Sequence, residues 1–379
     1  MNILHITTYL QGGAGRIIEN IAYCQKIQKD NVFVVTTKSE ELGYCNYKEY
    51  TDFLKTNCID CLKVDSTFKR DTYLNINAVY EVKKIIINND IDIIHTHAAV
   101  PSMIAILARS GIKKHIPVIQ TMHGWGTNKK LKHEKMDCLI LNSIDKVISV
   151  SKNDKSLMIS KGIYREKIST IYNGVEDNVS FTYSENDDII NDIKNYKDNG
   201  YKVFGCIGSV CERKNQQIFI ETLNKIGKDL KIFAVFIGEG DKIKELKKKV
   251  NDYALNDRIK FYGYRQNASK YISFFDYFIF TSLSEGFSIA VLEGFRSKTA
   301  VIASDIPAFH ECIQNNVTGY LFKSNNIYSL ENLIRRVISN KDNNLEKIII
   351  KNGYYKFKDK FTLRKMIDNY YNVYRTLLS

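Results

Sequence analysis

The sequence predicts an α/β protein of two domains, each a parallel sheet flanked by helices, from its length, from repeated strand-like runs, and from one polar break. At 379 residues the chain exceeds the roughly 250 to 300 at which one hydrophobic core usually stops growing. Apolar, β-rich runs recur, each followed by an amphipathic stretch, the pattern of buried parallel strands separated by helices. Between two such series, Glu176 to Gly200 is polar and rich in Asn and Asp, with apolar residues only at helical spacing around Ile189, Ile190 and Ile193.

The first series contains Asn2–Thr7, Asn31–Thr37, Ile91–His95, Ile116–Thr121, Lys146–Val150 and Ile168–Tyr172. The second contains Lys202–Gly208, Lys231–Gly238, Arg258–Phe261, Tyr277–Thr281, Ala300–Ala303 and Gly319–Phe322. Each series makes a Rossmann-like sheet, placing one domain in residues 1–180, a linker in 181–200 and the second domain in 201–357. From Phe357 to Leu378, Phe361, Met366, Tyr370, Val373 and Leu377 share one face, which predicts a terminal amphipathic helix that needs a surface to cover.

A composition of 44% hydrophobic and 26% charged residues, without Gly/Ser/Pro-rich tracts, excludes a disordered or fibrous chain. No apolar run reaches the length of a membrane span, and the run Ile3–Ile6 is too short for a signal peptide, so a cytoplasmic location is expected. The eight cysteines are expected to be free thiols. Cys58 and Cys61 form one CxxC, but no second pair completes a zinc tetrahedron. The net charge of +13 falls mostly after residue 200, where 29 Lys/Arg face 18 Asp/Glu, and suits an anionic partner.

In open α/β sheets ligands lie beyond the carboxyl ends of the strands, so the loops there are the candidates for chemistry. Gly12-Gly13-Ala14-Gly15-Arg16 opens a helix after the first strand, where backbone N–H groups can approach an anion. A dinucleotide site is not expected: Ile18 stands at the third glycine position, and Thr36-Thr37-Lys38 ends the second strand without an acidic residue. His95-Thr96-His97 and His123-Gly124-Trp125-Gly126 follow two further strands. The first pair reads as hydrogen-bonded support and His123 as a ligand-side residue, with no metal expected. Asp90 and Asp92 stand at the amino end of their strand, away from the ligand end, and read as solvated.

In the second half, Gly208-Ser209-Val210-Cys211-Glu212-Arg213-Lys214-Asn215 joins a strand to a helix and offers Arg213 and Lys214 to a diphosphate. Gly238-Glu239-Gly240 closes the next strand, where missing side chains would admit a flat base. Ser284-Glu285-Gly286-Phe287-Ser288-Ile289-Ala290-Val291-Leu292-Glu293 follows the strand Tyr277–Thr281, with a helix start at Ser288. Glu293, in an otherwise apolar helix, faces solvent or a polar ligand such as a ribose diol.

Taken in order, the glycine loop, Asp-Ile-Ile-His-x-His, Thr-x-His-Gly, Val-Ile-Ser-Val-Ser, Ile-Tyr-Asn-Gly-Val, Gly-x(5)-Lys-Asn, Gly-x-Gly and the two glutamates eight apart cover nearly the whole chain. Together they resemble the GT-B-fold glycosyltransferase family 4, the retaining, sugar-nucleotide-dependent enzymes of bacterial polysaccharide and glycolipid assembly. The resemblance implies two Rossmann-like domains facing across a cleft, the first binding the acceptor and the second the donor, with residues 358–379 crossing back to the first. It implies that Glu293 holds the donor ribose, Glu285 and His123 approach the sugar, and the amides of Gly286, Phe287 and Ser288 cradle sugar and phosphate. Lys214 neutralises the diphosphate in this scheme, and Gly12 and Gly13 close on it; Ser209, Arg213, Gly238 and Gly240 complete the donor site. Many members carry Arg where this chain has Ser209, and Arg213 is the candidate to replace that charge.

The activity so implied is transfer of a hexosyl or N-acetylhexosaminyl group from a nucleotide sugar, UDP-linked by expectation, to a saccharide or lipid-linked saccharide, without metal or other cofactor. A nucleotide-sugar epimerase or a phosphorylase on the same fold is the alternative enzyme. A non-catalytic polyanion binder is the alternative from the charge, although no nucleic-acid module surrounds Lys247-Lys248-Lys249. Lys113, Lys114, Lys129, Lys130, Lys132 and Lys135 are read as one cluster that could hold the protein at an anionic membrane surface, on the inner face of the cell membrane.

Overall fold

A computed structural model describes residues 1–39, 45–66, 70, 73–126, 129–184, 186–339 and 343–379. The chain divides into two compact units, Met1–Gly174 with Leu363–Ser379, and Val175–Thr362.

The first unit is built on seven parallel strands, β1 (Asn2–Ile6), β2 (Asn31–Thr37), β3 (Asp60–Val64), β4 (Ile93–Thr96), β5 (Val118–Met122), β6 (Lys146–Ser149) and β7 (Ile168–Thr170), in the order β3-β2-β1-β4-β5-β6-β7. Every residue of β4 and of β5 is buried, because helices cover both faces of a parallel sheet. Register sets His5 of β1 directly beside His95 of β4. The strand missing from the sequence reading is β3. It is an edge strand, Asp-Cys-Leu-Lys-Val, with only Val64 fully buried, so it shows no apolar run.

The second unit carries β8 (Lys202–Ile207), β9 (Ile232–Ile237), β10 (Ile259–Phe261), β11 (Tyr277–Phe280), β12 (Ala300–Asp305) and β13 (Tyr320–Lys323), ordered β10-β9-β8-β11-β12-β13. Its core is rich in phenylalanine: Phe204, Phe219, Phe233, Phe236 and Phe278 are all buried. Gly205 makes room for Phe275, whose ring lies 2.0 Å from where a Cβ would stand.

Two boundaries differ from the sequence reading. The segment 181–200 is not simply a linker: it contains the helix Asp188–Asp198, part of the second unit, while Glu185 lies outside the described residues. Asp187 caps this helix by accepting from the N–H groups of Ile189 and Ile190. The buried Ile189, Ile190 and Ile193 hold it to the unit, each stabilising by about 1.5–3 kcal/mol. The expected helix from Phe357 to Leu378 is two helices, Asn343–Lys360 and Leu363–Leu378. Between them Phe361 and Thr362 are extended and buried, and the Phe361 carbonyl accepts from Val175 N–H at 3.1 Å. The last helix packs into the first unit through Leu363, Met366, Ile367, Tyr370, Tyr371 and Tyr374. Val373 and Leu377, expected on that face, are only half-buried, because the Tyr371 and Tyr374 side chains take the inner positions.

Candidate active site

In each sheet the strand order reverses once, between β1 and β4 in the first unit and between β8 and β11 in the second. At such a switch point the loops beyond the carboxyl ends diverge and leave room for a ligand.

In the second unit this place is filled by one ionic cluster. After β8 the chain makes a single 3-10 turn, Glu212–Lys214, which Asn215 ends in the left-handed region at φ 48°. The turn is tied to the loop after β11: Leu283 N–H donates to the Arg213 carbonyl at 2.8 Å and Thr281 Oγ1 to the Lys214 carbonyl at 2.8 Å. The Glu285 carboxylate, only 9% exposed, then takes Lys214 Nζ on Oε1 and Arg213 Nη1 on Oε2, both at 2.6 Å. Ser282 Oγ adds a third bond to Oε1 at 2.7 Å. Burial pushes the Glu285 carboxyl up, but Lys214, Arg213 and the hydrogen bonds outweigh it and hold the group below its ordinary value. Arg213 also donates to the Ser284 carbonyl at 2.9 Å. Both cations are thus held in place by Glu285.

The helix Ile289–Arg296 begins immediately beyond, with Ser288 at its N-cap and no side-chain cap. Its first amides have no partner within their own helix, which makes this start suited to an anion. Phe287 is buried against Phe361, ring centroids 5.5 Å apart, so its side chain belongs to the core and only its backbone is available to a ligand. Glu293 lies along the same helix, half-buried, and its charge acts on Arg296 one turn on. Ser209 is exposed, and its carbonyl accepts from Gln216 Nε2 at 2.8 Å.

Gly238 and Gly240 have a packing reason in this structure. A Cβ on Gly238 would lie 2.0 Å from the Gly208 carbonyl oxygen, and one on Gly240 would lie 2.1 Å from that of Val210. The two glycines let the loops after β8 and β9 touch backbone to backbone, with Val210 N–H donating to the Glu239 carbonyl at 2.8 Å.

In the first unit, Gly12 and Gly13 are exposed at the start of the helix Gly12–Ile27, whose N-cap Gln11 makes no side-chain cap. Gly15 is a packing residue, since a Cβ there would meet the Tyr50 ring at 2.8 Å. His97 follows β4 and His123 follows β5, so both lie at carboxyl ends near the switch point. His123 Nε2 is 3.1 Å from His97 Nδ1, and His97 Nε2 is 3.1 Å from His5 Nδ1. His5, His95 and His97 bring ring nitrogens within 4.8 Å of one another, a spacing a metal ion could bridge. Yet all six nitrogens of these rings are engaged by protein partners: His5 Nε2 by Gln25, and His95 by Tyr374 at 2.7 Å and Thr121 at 2.8 Å. Burial drives the four imidazoles strongly towards neutrality, His5 and His123 to about 4 and His95 and His97 well below their ordinary value.

The six lysines do not form one cluster. Lys114 bridges Asp90 at 3.0 Å and Asp92 at 2.8 Å at the amino ends of the strands, so these aspartates are ion-paired. Lys129 to Lys135 follow the carboxyl end of β5, and Lys129 is spent on Asp137 at 2.9 Å and on the Trp125 ring at 4.0 Å. All eight cysteines are free. Among the described residues no helix is long and apolar enough to cross a membrane.

Sequence reasoning passed over Ser282, His5, Gln25, Thr121 and Tyr374. Ser282 had a signal, its place just beyond β11. The others sit inside regular elements, where nothing marks them as polar partners.

Two doubly wound units, one with a cation pair and a helix start at its switch point, offer a place suited to an anionic group. The comparisons specify the class: the model described as Glycosyltransferase Family 4 matches residues 11–179, and that described as Glycosyl transferases group 1 matches residues 187–356. The O-antigen biosynthesis glycosyltransferase WclY of Escherichia coli is 28% identical over 76% of this chain and 79% of its own. The UDP-Gal:alpha-D-GlcNAc-diphosphoundecaprenol alpha-1,3-galactosyltransferase of the same organism is 27% identical over 79% of this chain and 81% of its own. The structure of Anabaena HepE with UDP and glucose shares the fold at a TM-score of 0.83 and 19% identity, covering 99% of this chain and 100% of that one. The protein is a glycosyltransferase, and the chain belongs to the GT-B-fold glycosyltransferases of family 4.

Proposed function

We propose that this glycosyltransferase moves a hexosyl or N-acetylhexosaminyl group from a UDP-linked donor to a lipid-linked saccharide in cell-surface polysaccharide synthesis, with retention of anomeric configuration. The observation that carries this reading is the Lys214–Glu285–Arg213 cluster beside the open helix start at Ser288. The donor diphosphate competes with Glu285 for Lys214 and Arg213, and the amides from Gly286 to Ile289 take its remaining charge. Glu293 accepts from the ribose hydroxyls. As the bond from sugar C1 to the diphosphate oxygen breaks, the acceptor oxygen bonds to C1 on the same face, and its proton passes to the departing phosphate. Lys214 and Arg213 supply the positive charge that a metal gives in other transferases, so the reaction proceeds without one.

The second unit binds the donor and the first the acceptor, and Gly12, Gly13 and His123 are the candidate ligand residues of the first. Near His123, exposed Lys130, Lys132 and Lys135 share a helix region with Leu131 and Leu139, which are 67% and 71% exposed. This mixture suits peripheral contact with an anionic membrane that carries the lipid-linked acceptor.

A thermal-unfolding screen with UDP-, GDP- and ADP-sugars tests the reading, since a ligand at 100 times its Kd stabilises the folded state by about 2.7 kcal/mol. Protection by UDP-sugars without added metal is expected, and protection by none of the three contradicts it. An epimerase would instead turn over the sugar nucleotide without an acceptor, and a phosphorylase would require inorganic phosphate.

A further inference from the structure

The histidines of the first unit belong to a longer file of hydrogen bonds with a direction. It runs from His123 through His97 and His5 to Gln25 Oε1, which stands 2.7 Å from His5 Nε2. Gln25 Nε2 donates to Tyr374 Oη at 3.1 Å, and the file continues through His95 and Thr121 to Tyr370 Oη, the last step 2.9 Å. A neutral imidazole has one N–H and one bare nitrogen, so each link admits one donor. Gln25 alone has two ends of fixed role, a carbonyl that only accepts and an amide that only donates.

The protons follow from that residue. Because Gln25 Oε1 accepts from His5 Nε2, His5 Nδ1 is bare and accepts from His97 Nε2. His97 Nδ1 is then bare and accepts from His123 Nε2, which leaves His123 Nδ1 without a proton. On the other arm Tyr374 accepts from Gln25, donates to His95 Nδ1, and His95 Nε2–H donates to Thr121. Turning the Gln25 amide over would reverse every link and put the proton on His123 Nδ1. Among the described residues that nitrogen is buried and has no hydrogen-bond partner. A buried orphan N–H is rarer and costlier than an under-used acceptor, which favours the first direction. The burial that holds all four rings neutral keeps the file to one proton per imidazole.

We propose that Gln25, acting through His5 and His97, fixes the tautomer of His123 so that its Nδ1 is offered as an acceptor to a hydroxyl of the bound sugar. Gln25, His5 and His97 are positioning residues, and the ligand part of the inference rests on the sugar-transfer reading above. An acceptor fixed in this way selects a sugar that presents a hydroxyl and gives nothing to a deoxy analogue.

The test uses the full chain labelled with 15N-histidine, with ring tautomers read from long-range proton–nitrogen correlations at pH 7. His5, His97 and His123 should each carry the proton on Nε2, and in Gln25→Met the His123 ring should lose its single tautomer. Transfer by Gln25→Met should fall about tenfold, the weight of one hydrogen bond, with no further fall when Gln25→Met is added to His123→Ala. A proton on His123 Nδ1, or His123 resonances indifferent to Gln25→Met, overturns the proposal. So does an equal loss in the His123→Ala background, which marks Gln25 as merely structural. If Gln25→Met does not fold, His97→Phe reads the same coupling. If no sugar nucleotide is turned over by the wild-type chain, the functional reading fails while the tautomers still decide the relay.

Discussion

Replacing Glu285 by Gln keeps the side chain's volume and removes a negative charge from between two cations. The carboxylate is about nine-tenths buried and holds Lys214, Arg213 and Ser282 at 2.6, 2.6 and 2.7 Å. An amide keeps one acceptor for these three donors, and its own NH2 then meets a cation. Breaking a fully buried ion pair costs about 3–5 kcal/mol. Arg213 is 44% exposed and Lys214 19%, so solvent screening brings the expected loss to about 2 kcal/mol. For a unit of this size that lowers Tm by about 4–8 °C. The loss should also depend on pH in one direction. The folded carboxyl lies below its ordinary 4.5, so its stabilisation is present above pH 4.5 and is lost as pH falls through the folded pKa. Calorimetry of wild type and Glu285→Gln from pH 7 to pH 3 should show a gap that is full at neutrality and closes in acid. Equal Tm values at pH 7, or a gap that persists in acid, would refute the ion-pair account.

The buried histidines give a second pH signature. Burial pushes His5 and His123 down from the ordinary 6.5 to about 4, so stability is expected to be full above pH 6.5 and to be lost as pH falls towards 4. Each contributes a slope of up to about 1.4 kcal/mol per pH unit, and denaturant unfolding that is flat from pH 7 to pH 5 would contradict their burial. Gly238→Ala should cost about 3 kcal/mol or more, because its Cβ meets the Gly208 carbonyl and φ is 141°. Gly12→Ala, with open space around its Cβ and φ 55°, should cost only about 1–2 kcal/mol; the reverse order in denaturant midpoints would contradict the packing described. Glu293→Ala should weaken protection by UDP about 10- to 100-fold in concentration, and unchanged protection would remove Glu293 from the ribose.

Most of the fold was legible because buried parallel strands are short apolar runs that stand out from the helices between them. The edge strand β3 escaped because Asp60 and Lys63 are exposed and break its apolar run. The break between the last two helices escaped because Phe361 and Thr362 continue an apolar face, and only the bonds to Val175 show that they are extended. In the site, strand ends located Lys214, Glu285 and His123. No local pattern could pair Lys214 with Glu285, 71 residues away, or Gln25 with Tyr374, 349 away. That Gly238 and Gly240 also let two loops touch backbone to backbone was not legible, because a sequence does not show which backbone occupies the missing side chain's place.

The most direct measurement is transfer from a UDP-sugar to a diphosphate-lipid-linked saccharide, with the anomeric configuration of the product read by proton NMR, for wild type and Lys214→Met. The expected result is a product with the donor's configuration, formed without metal by the wild type and at least about a hundredfold more slowly by the variant. An inverted product, hydrolysis alone, or transfer by Lys214→Met at the wild-type rate would contradict the proposed mechanism.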